Sequence, residues 1–271
     1  MTQSTSSLNS ELTPTPPPAD RPLEPLPKAI VIGASSGIGA AMVHELAHQG
    51  YYVAALARRE PELTRLTDSI NRAVGRQAVY SYIHDVTEYE AVPALFQQIV
   101  QQLGGLDLVV YVAGVQPAVA AGEYNFEKDA AMVEVNLLGA MAWLNETAVR
   151  FERAKSGHIV GIGSIAGDRG RSAAPGYNTS KAALHTYLEA LRNRLFSHGV
   201  AVTTIKPGFV DTVLLENAPK TFWVISPETA AQKIYRAIQK KKQVAYVPAR
   251  WGLVGLIIRH IPSFIFRRLS I

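Results

Sequence analysis

From Lys28 onward, short apolar runs rich in β-branched residues alternate with longer segments whose apolar residues recur at helical spacing. Residues 29–32 form such a run, and residues 37–49 form the helical segment that follows it. Strands that are apolar throughout and separated by helices are typical of a parallel sheet covered on both faces. The alternation therefore predicts an α/β fold with a doubly wound parallel sheet.

The same pattern gives the approximate bounds of each element. The predicted strands are residues 29–32, 51–57, 79–83, 106–112, 158–162, 200–205 and 243–247. The predicted helices are residues 37–49, 61–74, 89–103, a long helix within 127–154, 177–197 and 227–240. Right-handed crossovers make a sheet of about seven such strands Rossmann-like, with helices on both faces and ligands beyond the carboxyl ends of the strands. We expect one such domain over residues 28–250, with a substrate loop at about 211–226.

The two ends of the chain differ from this domain in composition. Residues 1–27 contain seven prolines among Ser and Thr and lack an apolar run, which predicts a disordered tail rather than a signal or transit peptide. Nine Lys or Arg residues and no acidic residue follow Glu228, so residues 1–228 contain the other 18 basic residues and all 22 acidic ones. The net charge of +5 is thus concentrated at the C-terminal end of the chain.

The last segment, residues 251–271, is both apolar and basic, and two interpretations remain open. It can be a helix packed on the domain or on a partner subunit, or a segment lying in the interface of an anionic membrane. No apolar run approaches the roughly 20 residues needed to span a bilayer. We therefore expect a cytoplasmic protein, with peripheral contact to the cytoplasmic face of the membrane under the second interpretation.

Composition also excludes several classes of site. The chain has no cysteine, which rules out disulfides, thiolate metal sites and a thiol nucleophile. Among the seven histidines only His44 and His48 have i,i+4 spacing, and no Glu follows the first of them, so no metal site is predicted. The basic residues are not interleaved with groove-reading or aromatic elements, so we expect no nucleic-acid partner.

A glycine-rich turn, GASSGIG at residues 33–39, follows the first predicted strand directly. Glycines allow the backbone to turn sharply and approach a pyrophosphate at the positive end of the next helix. A plain strand–helix turn can have the same spacing, but the position after the first apolar strand favours dinucleotide binding. The expected cofactor contacts in this turn are Gly33, Ser35, Ser36, Gly37, Ile38 and Gly39.

The end of the second predicted strand carries Arg58 and Arg59, with no carboxylate until Glu60. A carboxylate there would bind the ribose and repel a 2′-phosphate, whereas a guanidinium can bind that phosphate through two hydrogen bonds. The pair therefore favours NADP(H) over NAD(H), and the competing interpretation is two solvent-exposed arginines. Asp85 and Val86 follow the third strand, where the carboxylate can read the adenine amino group or cap the next helix.

Four polar residues near the later strands suggest the chemistry. Tyr177 and Lys181 are one helical turn apart, so the ammonium can favour the phenolate and lower the pKa of the phenol. Such a phenol can give a proton to a carbonyl oxygen or take one from an alcohol. Ser164 ends a predicted strand and can hold that oxygen, or it is an ordinary strand-end hydroxyl. Asn136 can relay protons toward Lys181, or it is an ordinary buried amide.

Together these motifs resemble the short-chain dehydrogenase/reductase family across residues 28–250. The matching residues are Gly33-x-x-x-Gly37-x-Gly39, Asp85, Ala113-Gly114, Asn136, Ser164, Tyr177, Lys181 and the run Lys206-Pro207-Gly208-Phe209-Val210-Asp211-Thr212. The resemblance implies that Tyr177 is the general acid/base and that Ser164 orients the substrate carbonyl. It also implies that Lys181 binds the nicotinamide ribose and lowers the Tyr pKa, and that Asn136 holds a relay water. Ala113 and Gly114 approach the cofactor or form a plain turn; the remaining implied cofactor contacts are Pro207, Gly208, Val210 and Thr212.

Two positions depart from the family pattern. Ile32 stands where the family usually has Thr, and Tyr111-Val112 stands where it usually has two Asn residues. The missing side chains mainly brace the backbone, so their loss concerns local support more than catalysis. Family members usually form dimers or tetramers through the helices containing Asn136 and Tyr177, which implies a homodimer or homotetramer here.

The substrate is indicated by a loop and by the C-terminal tail. Arg169 and Arg171 lie between Ser164 and Tyr177, where they can hold an anionic substrate group or form a solvated loop. This loop and residues 251–271 resemble the decaprenylphosphoryl-2-keto-ribose reductase branch, which implies a keto-sugar carried on a polyprenyl phosphate. The alternatives are another lipophilic carbonyl or alcohol (a retinoid, steroid or acyl chain) and, more remotely, a dinucleotide-binding regulatory protein without catalysis.

Overall fold

The computed structural model describes residues 26–120, 122–217 and 221–269, which are built around one seven-stranded sheet. The strands are β1 Lys28–Ile32, β2 Tyr52–Ala57, β3 Val79–Ile83, β4 Leu108–Tyr111, β5 His158–Ile162, β6 Ala201–Pro207 and β7 Val244–Val247. Every neighbouring pair is parallel, in the order β3-β2-β1-β4-β5-β6-β7. The strand order reverses between β1 and β4, which is where ligands bind in sheets of this kind.

Helices cover both faces of the sheet, as the sequence pattern predicts. They are α1 Gly37–His48, α2 Glu60–Val74, α3 Val92–Leu103, α4 Phe126–Val133, α5 Gly139–Ala154, α6 Pro175–Leu195, α7 Pro227–Gln239, α8 Trp251–His260 and α9 Ser263–Phe266. One core packs α1, α2 and α7 against the sheet, and the other packs α3, α5 and α6 against its opposite face. The Rossmann-like fold class is therefore confirmed.

The apolar strands are buried as their sequences require. All six residues of β2 are buried, and so are the last four of β1. Large side chains such as Trp143 and Phe96 are almost completely inaccessible on the α3–α5–α6 face. Each fully buried Leu, Ile or Phe contributes about 1.5–3 kcal/mol relative to an exposed one. This burial fixes the strands whose carboxyl ends carry the site.

Several elements differ in detail from the sequence prediction, and three of them matter for the site. The single long helix expected within 127–154 is instead α4 and α5, joined by a π-helical segment at Glu134–Leu138. The strand expected at 106–112 is shorter, at Leu108–Tyr111. Helix α6 begins at Pro175 rather than at 177, because proline is well suited to the first turn of a helix.

The end segments extend the domain in different ways. The predicted disordered tail lies outside the described residues, except that the Pro27 carbonyl accepts a hydrogen bond from the Tyr52 amide at 2.9 Å. Residues 251–269 form α8 and α9, and α8 begins with the buried Trp251. Within the described parts of the chain, no helix has the length and apolar content that a bilayer crossing requires.

Candidate active site

The glycine-rich turn lies at the carboxyl end of β1, against two other segments of the site. Gly33 has φ +93°, and a Cβ there would lie 2.5 Å from the Ala113 nitrogen. Gly37 has φ +53°, and a Cβ there would lie 2.8 Å from Cγ2 of Thr212. Only glycine fits both positions without displacing a neighbour. The turn, the end of β4 and the segment after β6 therefore converge on one place.

The two arginines after β2 point into this region. The Nη2 atom of Arg59 donates to the Ser35 hydroxyl at 3.0 Å and to the Ser36 hydroxyl at 2.7 Å. The Nη1 atom of Arg58 forms an ion pair with Oδ2 of Asp85 at 3.1 Å. Both guanidinium groups are thus placed by side chains of the predicted nucleotide site, at the edge of the glycine turn.

Asp85 closes a short turn instead of capping the next helix. Its Oδ1 accepts hydrogen bonds from the amide of Thr87 at 3.0 Å and from its hydroxyl at 2.8 Å. Burial raises the pKa of Asp85, but these bonds and Arg58 outweigh it and hold the pKa below its usual value. The 3-10 helix that follows, Tyr89–Ala91, has no side-chain cap. The neighbouring Val86 is buried.

Asn136 lies in the π-helical segment and is completely buried. Its Oδ1 accepts from the Val115 amide at 2.7 Å, and its Nδ2 donates to the Val115 carbonyl at 3.1 Å and to the Ser180 hydroxyl at 3.0 Å. The amide is therefore clamped between the segment after β4 and helix α6. Single π-helical turns of this kind are frequent at functional sites.

Tyr111, one of the two departures from the family pattern, supports this segment from the other side. Its hydroxyl is buried and donates to the carbonyl of Val135 at 2.6 Å. A Cβ on Gly139 would lie 2.7 Å from that hydroxyl, so the phenol fits only because residue 139 is glycine. Tyr111 thus braces the backbone next to Asn136.

Gly114 brings the proposed relay residues together. A Cβ at this position would lie 3.2 Å from Oδ1 of Asn136 and 3.3 Å from Nζ of Lys181. The backbone of Ala113-Gly114 therefore passes close to the side chains of Asn136 and Lys181, which a plain turn would not require. Lys181 is buried, and its Nζ donates to the carbonyl of Ile162 at 3.0 Å.

The phenol of Tyr177 lies between Ser164 and the Lys181 ammonium. Ser164 and Tyr177 are joined by a side-chain hydrogen bond, and the Ser164 hydroxyl also accepts from the Ala166 amide at 3.1 Å. The Nζ of Lys181 lies 5.8 Å from the centre of the Tyr177 ring. Burial lowers the pKa of Lys181 to about 8, so the amine is charged at neutral pH. The structure thus brings Asn136, Ser164, Tyr177 and Lys181 to one site.

The expected lowering of the Tyr177 pKa is wrong for this structure. Burial raises the pKa of the phenol, and the hydrogen bond from Ser164 and the charge of Arg171 lower it by less. The pKa of Tyr177 lies above its usual value because desolvation destabilises the phenolate more than these two interactions stabilise it. The cation that acts on Tyr177 in this way is Arg171, which the sequence suggested only as a substrate ligand.

The two arginines of the 169–171 loop have different surroundings. The Nη1 atom of Arg169 donates to the Ile258 carbonyl at 2.7 Å and to that of Ile261, and its guanidinium stacks 4.0 Å from the centre of the Phe266 ring. The substrate role expected of Arg169 is therefore corrected, because these contacts tie it to the C-terminal helices. The Nη2 atom of Arg171 donates to Asn178 at 3.3 Å, whereas its buried Nε has no hydrogen-bond partner.

A buried polar cluster behind Ser164 had no place in the sequence prediction. The carboxylate of Asp168 is almost inaccessible to solvent and forms an ion pair with Lys206. It also accepts a hydrogen bond from the Tyr246 hydroxyl at 2.6 Å. The Ser164 amide donates to Nε2 of His185 at 3.3 Å. Burial and then the charge of Lys206 lower the pKa of His185 to about 3, so the ring is neutral. Because 38 to 78 residues separate Asp168 from Lys206 and Tyr246, no local pattern signals this cluster.

The segment after β6 lies between the glycine turn and the C-terminal helices. Pro207 ends β6, and the Gly208 amide donates to the Val247 carbonyl at 3.0 Å. A Cβ on Gly208 would lie 1.9 Å from Nε1 of Trp251, so the indole rests on this backbone. Val210 is buried, and the Thr212 hydroxyl donates to its carbonyl at 3.3 Å. The expected nicotinamide contacts are thus held at the carboxyl edge.

Comparisons with known proteins identify the family and agree with the fold. A family described as short chain dehydrogenase matches residues 27–222. An uncharacterized oxidoreductase of Myxococcus xanthus is 38% identical over 196 residues, or 72% of this chain and 77% of that protein. A short-chain dehydrogenase from Sphingobium yanoikuyae, solved with NADPH, gives a TM-score of 0.75 at 22% identity over 88% of this chain and 97% of that one. The bulky-bulky ketone specific alcohol dehydrogenase from Comamonas testosteroni gives 0.74 at 20% identity, over 89% and 96%.

Proposed function

The chain belongs to the short-chain dehydrogenase family and is an oxidoreductase, and from this premise we propose that it interconverts a ketone and a secondary alcohol with NADP(H). The observation that carries the proposal is the meeting of Ser164, Tyr177 and Lys181 at the carboxyl edge of the sheet. The glycine turn opens the backbone beside them, as a bound dinucleotide requires. When bound, the nicotinamide supplies or accepts the hydride.

The residues of the chain manage the proton and the carbonyl oxygen. In reduction, the Tyr177 hydroxyl donates its proton to the substrate oxygen, and the Ser164 hydroxyl donates a hydrogen bond that holds this oxygen. The charge of Arg171 stabilises the phenolate that remains, and the Lys181 ammonium lies 5.8 Å from the centre of the Tyr177 ring. Asn136 fixes the Val115 backbone next to Lys181 and positions the relay.

Arg59 supports a preference for NADP(H). Its guanidinium lies on Ser35 and Ser36 of the glycine turn, where an adenosine 2′-phosphate would replace the hydroxyl acceptors with charged oxygens. Arg58 and Asp85 would flank the adenosine. No carboxylate lies between the end of β2 and Glu60 to repel that phosphate.

Arg171 and the apolar surroundings of the site favour a lipophilic carbonyl that carries a negative charge. The buried Nε of Arg171 has no protein partner, and Arg171 acts electrostatically on Tyr177. A phosphate on the substrate would satisfy that donor, which supports a polyprenyl-phosphate-linked keto-sugar. An uncharged bulky ketone, the kind of substrate named for the Comamonas enzyme, is the second candidate.

The decisive experiment compares the wild type with Tyr177→Phe. We expect NADPH-dependent reduction of the lipid-linked keto-sugar in the wild type, and a loss of about 10²–10⁴-fold in kcat in the variant. NADPH binding, followed by cofactor fluorescence, should be retained in both. Equal turnover by the two proteins would contradict the role of Tyr177, and turnover only of uncharged ketones would replace the sugar with the second candidate.

The oligomeric state stays a prediction. The helices expected to join subunits are α4–α5, which flank Asn136, and α6, which carries Tyr177. Light scattering of the purified chain should give a dimer or tetramer, and a monomer at all concentrations would contradict this expectation.

A further inference from the structure

We propose that residues 222–226, which precede α7, and the two C-terminal helices, α8 and α9, form one docking surface for an anionic lipid membrane. Six large apolar side chains of this surface are between 46% and 64% exposed: Phe222, Trp223, Leu253, Leu256, Ile257 and Phe264. We call this set the apolar rim. Clustered exposed residues of this size mark an interaction site, whereas single exposed apolar residues do not. The docking does not depend on the proposed reaction.

Aromatic packing makes the loop and the helix one surface. The ring of Phe222 lies 5.1 Å from that of Trp251, and the ring of Trp223 lies 5.6 Å from it. Trp251 itself is buried at the first position of α8. The loop side of the rim is therefore anchored to the helix side through a residue that does not face solvent.

The inner face of α8 is already occupied, so its outer apolar face is not needed for packing the domain. A Cβ on Gly255 would lie 2.7 Å from the Asp168 carboxylate, which shows how closely this face meets the buried cluster. Arg169 holds the carboxyl end of the same helix. Leu253, Leu256 and Ile257 follow i, i+3, i+4 spacing on the outer side.

Trp223 is held in this surface at a conformational cost. Its φ is +57°, a left-handed conformation that is rare for a bulky residue. The guanidinium of Arg250 lies 4.8 Å from the centre of its ring, and Nη2 donates to its carbonyl at 3.3 Å. A strained backbone that presents a tryptophan beside an arginine fits the headgroup level of a membrane, where amphipathic rings and cations are both favoured.

Charge identifies the occupant of the rim. Arg250, Arg259, Arg267 and Arg268 are exposed around it, and no acidic residue follows Glu228. Basic residues are attracted to an anionic membrane surface, and the apolar residues add burial at the acyl boundary. A second copy docking by a twofold axis would bring the same positive charges together, which opposes self-association here.

The rim borders the candidate active site. Phe209, which directly follows the nicotinamide-flanking Gly208, has its ring 5.4 Å from that of Trp251. A carbonyl carried on a lipid would therefore reach Tyr177 from the docked side; this last step rests on the proposed function, whereas the docking does not.

The test is co-sedimentation of the full chain with vesicles of phosphatidylcholine, alone or mixed with phosphatidylglycerol. We expect binding to the anionic vesicles that weakens as salt is raised. The pair Leu256→Glu and Ile257→Glu should weaken it by about tenfold or more. Phe196→Glu is the matched control, because Phe196 is exposed at the far end of α6, and it should bind as the wild type does.

A second variant separates charge from apolar insertion. Arg267→Glu with Arg268→Glu should abolish the preference for anionic vesicles, and both side chains are exposed, so folding should be unaffected. Wild type that stays in the supernatant with every vesicle overturns the proposal. Normal vesicle binding by the double variant Leu256→Glu, Ile257→Glu also overturns it. A third contrary result is a wild type that does not bind vesicles together with a double variant whose oligomer dissociates, because a second copy would then cover the rim. None of these measurements requires enzymatic turnover.

Discussion

The half of the sheet from β3 to β1 and the half from β4 to β7 build their parts of the site in different ways. In the first half, Arg59 contacts Ser35 and Ser36, and Arg58 contacts Asp85, on the exposed edge of neighbouring strand ends. In the second half, the contacts are buried and join distant segments, as in the Asp168–Lys206 ion pair. Under the proposed function, the first arrangement would hold the dinucleotide at neighbouring strand ends, and the second would connect the catalytic residues to more distant segments of this chain.

The largest expected effect is a difference in the free energy of unfolding between a variant of the second half and a variant of the first. Replacing Asp168 with Asn leaves the Lys206 ammonium buried without its counterion, which should lower the free energy of unfolding by about 3–5 kcal/mol. Arg58→Gln breaks an ion pair in which the arginine itself is exposed, and should cost less than about 1 kcal/mol. Urea unfolding of both variants measures the difference. Equal losses would show that the two pairs are equally buried in solution.

Acid should destabilise the second half through His185. Its pKa in the folded protein is about 3 against 6.5 unfolded, so the unfolded state binds more protons between these values. Stability from the neutral ring is therefore present above pH 6.5 and is lost progressively as pH falls toward 3. The His185→Gln protein should lose less stability than the wild type over this window in urea titrations. Parallel losses in the two proteins would exclude His185 as the titrating group.

Substitution of Arg59 in the first half should change the cofactor preference and leave stability unchanged. Arg59→Gln removes the guanidinium on the glycine turn, and kcat/KM for NADPH should fall roughly ten- to hundredfold while that for NADH stays unchanged. Arg65→Gln is the control, because Arg65 is exposed on α2 and bonds the Pro61 carbonyl of the same helix. Steady-state kinetics with both cofactors checks this, and an equal loss with NADH would mean that Arg59 supports the fold and does not recognise the phosphate.

The most local of the expected effects concerns the attachment of the C-terminal helices. Arg169→Ala removes hydrogen bonds to the Ile258 and Ile261 carbonyls, which should loosen α8 by about 1–3 kcal/mol. Amide hydrogen exchange should rise across residues 251–269 and stay unchanged in β1 and α1, and Arg169→Lys should restore part of the protection. Unchanged exchange in the alanine variant would contradict the anchoring role.

The sequence allowed prediction of features whose causes are local. Strand and helix alternation gave the sheet, and Tyr177 with Lys181 could be placed together because one helical turn separates them. Ser164 could be added because it ends a strand, and Asn136 could be added because it is a polar residue inside an apolar helical stretch. The contacts of Arg169 with the C-terminal helices could not be predicted, since 89 residues separate it from Ile258.

Burial is the second reason why parts of the site could not be predicted from the sequence. The sequence shows a cation near the Tyr177 phenol but not the desolvation that outweighs it and raises the pKa. The π-helical segment around Asn136 also has no signal, because its apolar residues fit an ordinary helix equally well. Tyr111 seemed to be a loss of bracing, yet its hydroxyl provides bracing through the Val135 carbonyl. Such roles depend on packing that only the three-dimensional structure defines.

Hydride transfer tests the central claim most directly. The purified chain is given NADPH carrying deuterium at C4 of the nicotinamide and the lipid-linked keto-sugar or a bulky ketone, with Tyr177→Phe as the matched control. We predict that the wild type places deuterium on the carbinol carbon of the product alcohol and that the variant, with NADPH still bound, yields almost none. Tight NADPH binding by the wild type without deuterated product from any carbonyl would contradict the account and favour a dinucleotide-binding regulatory protein.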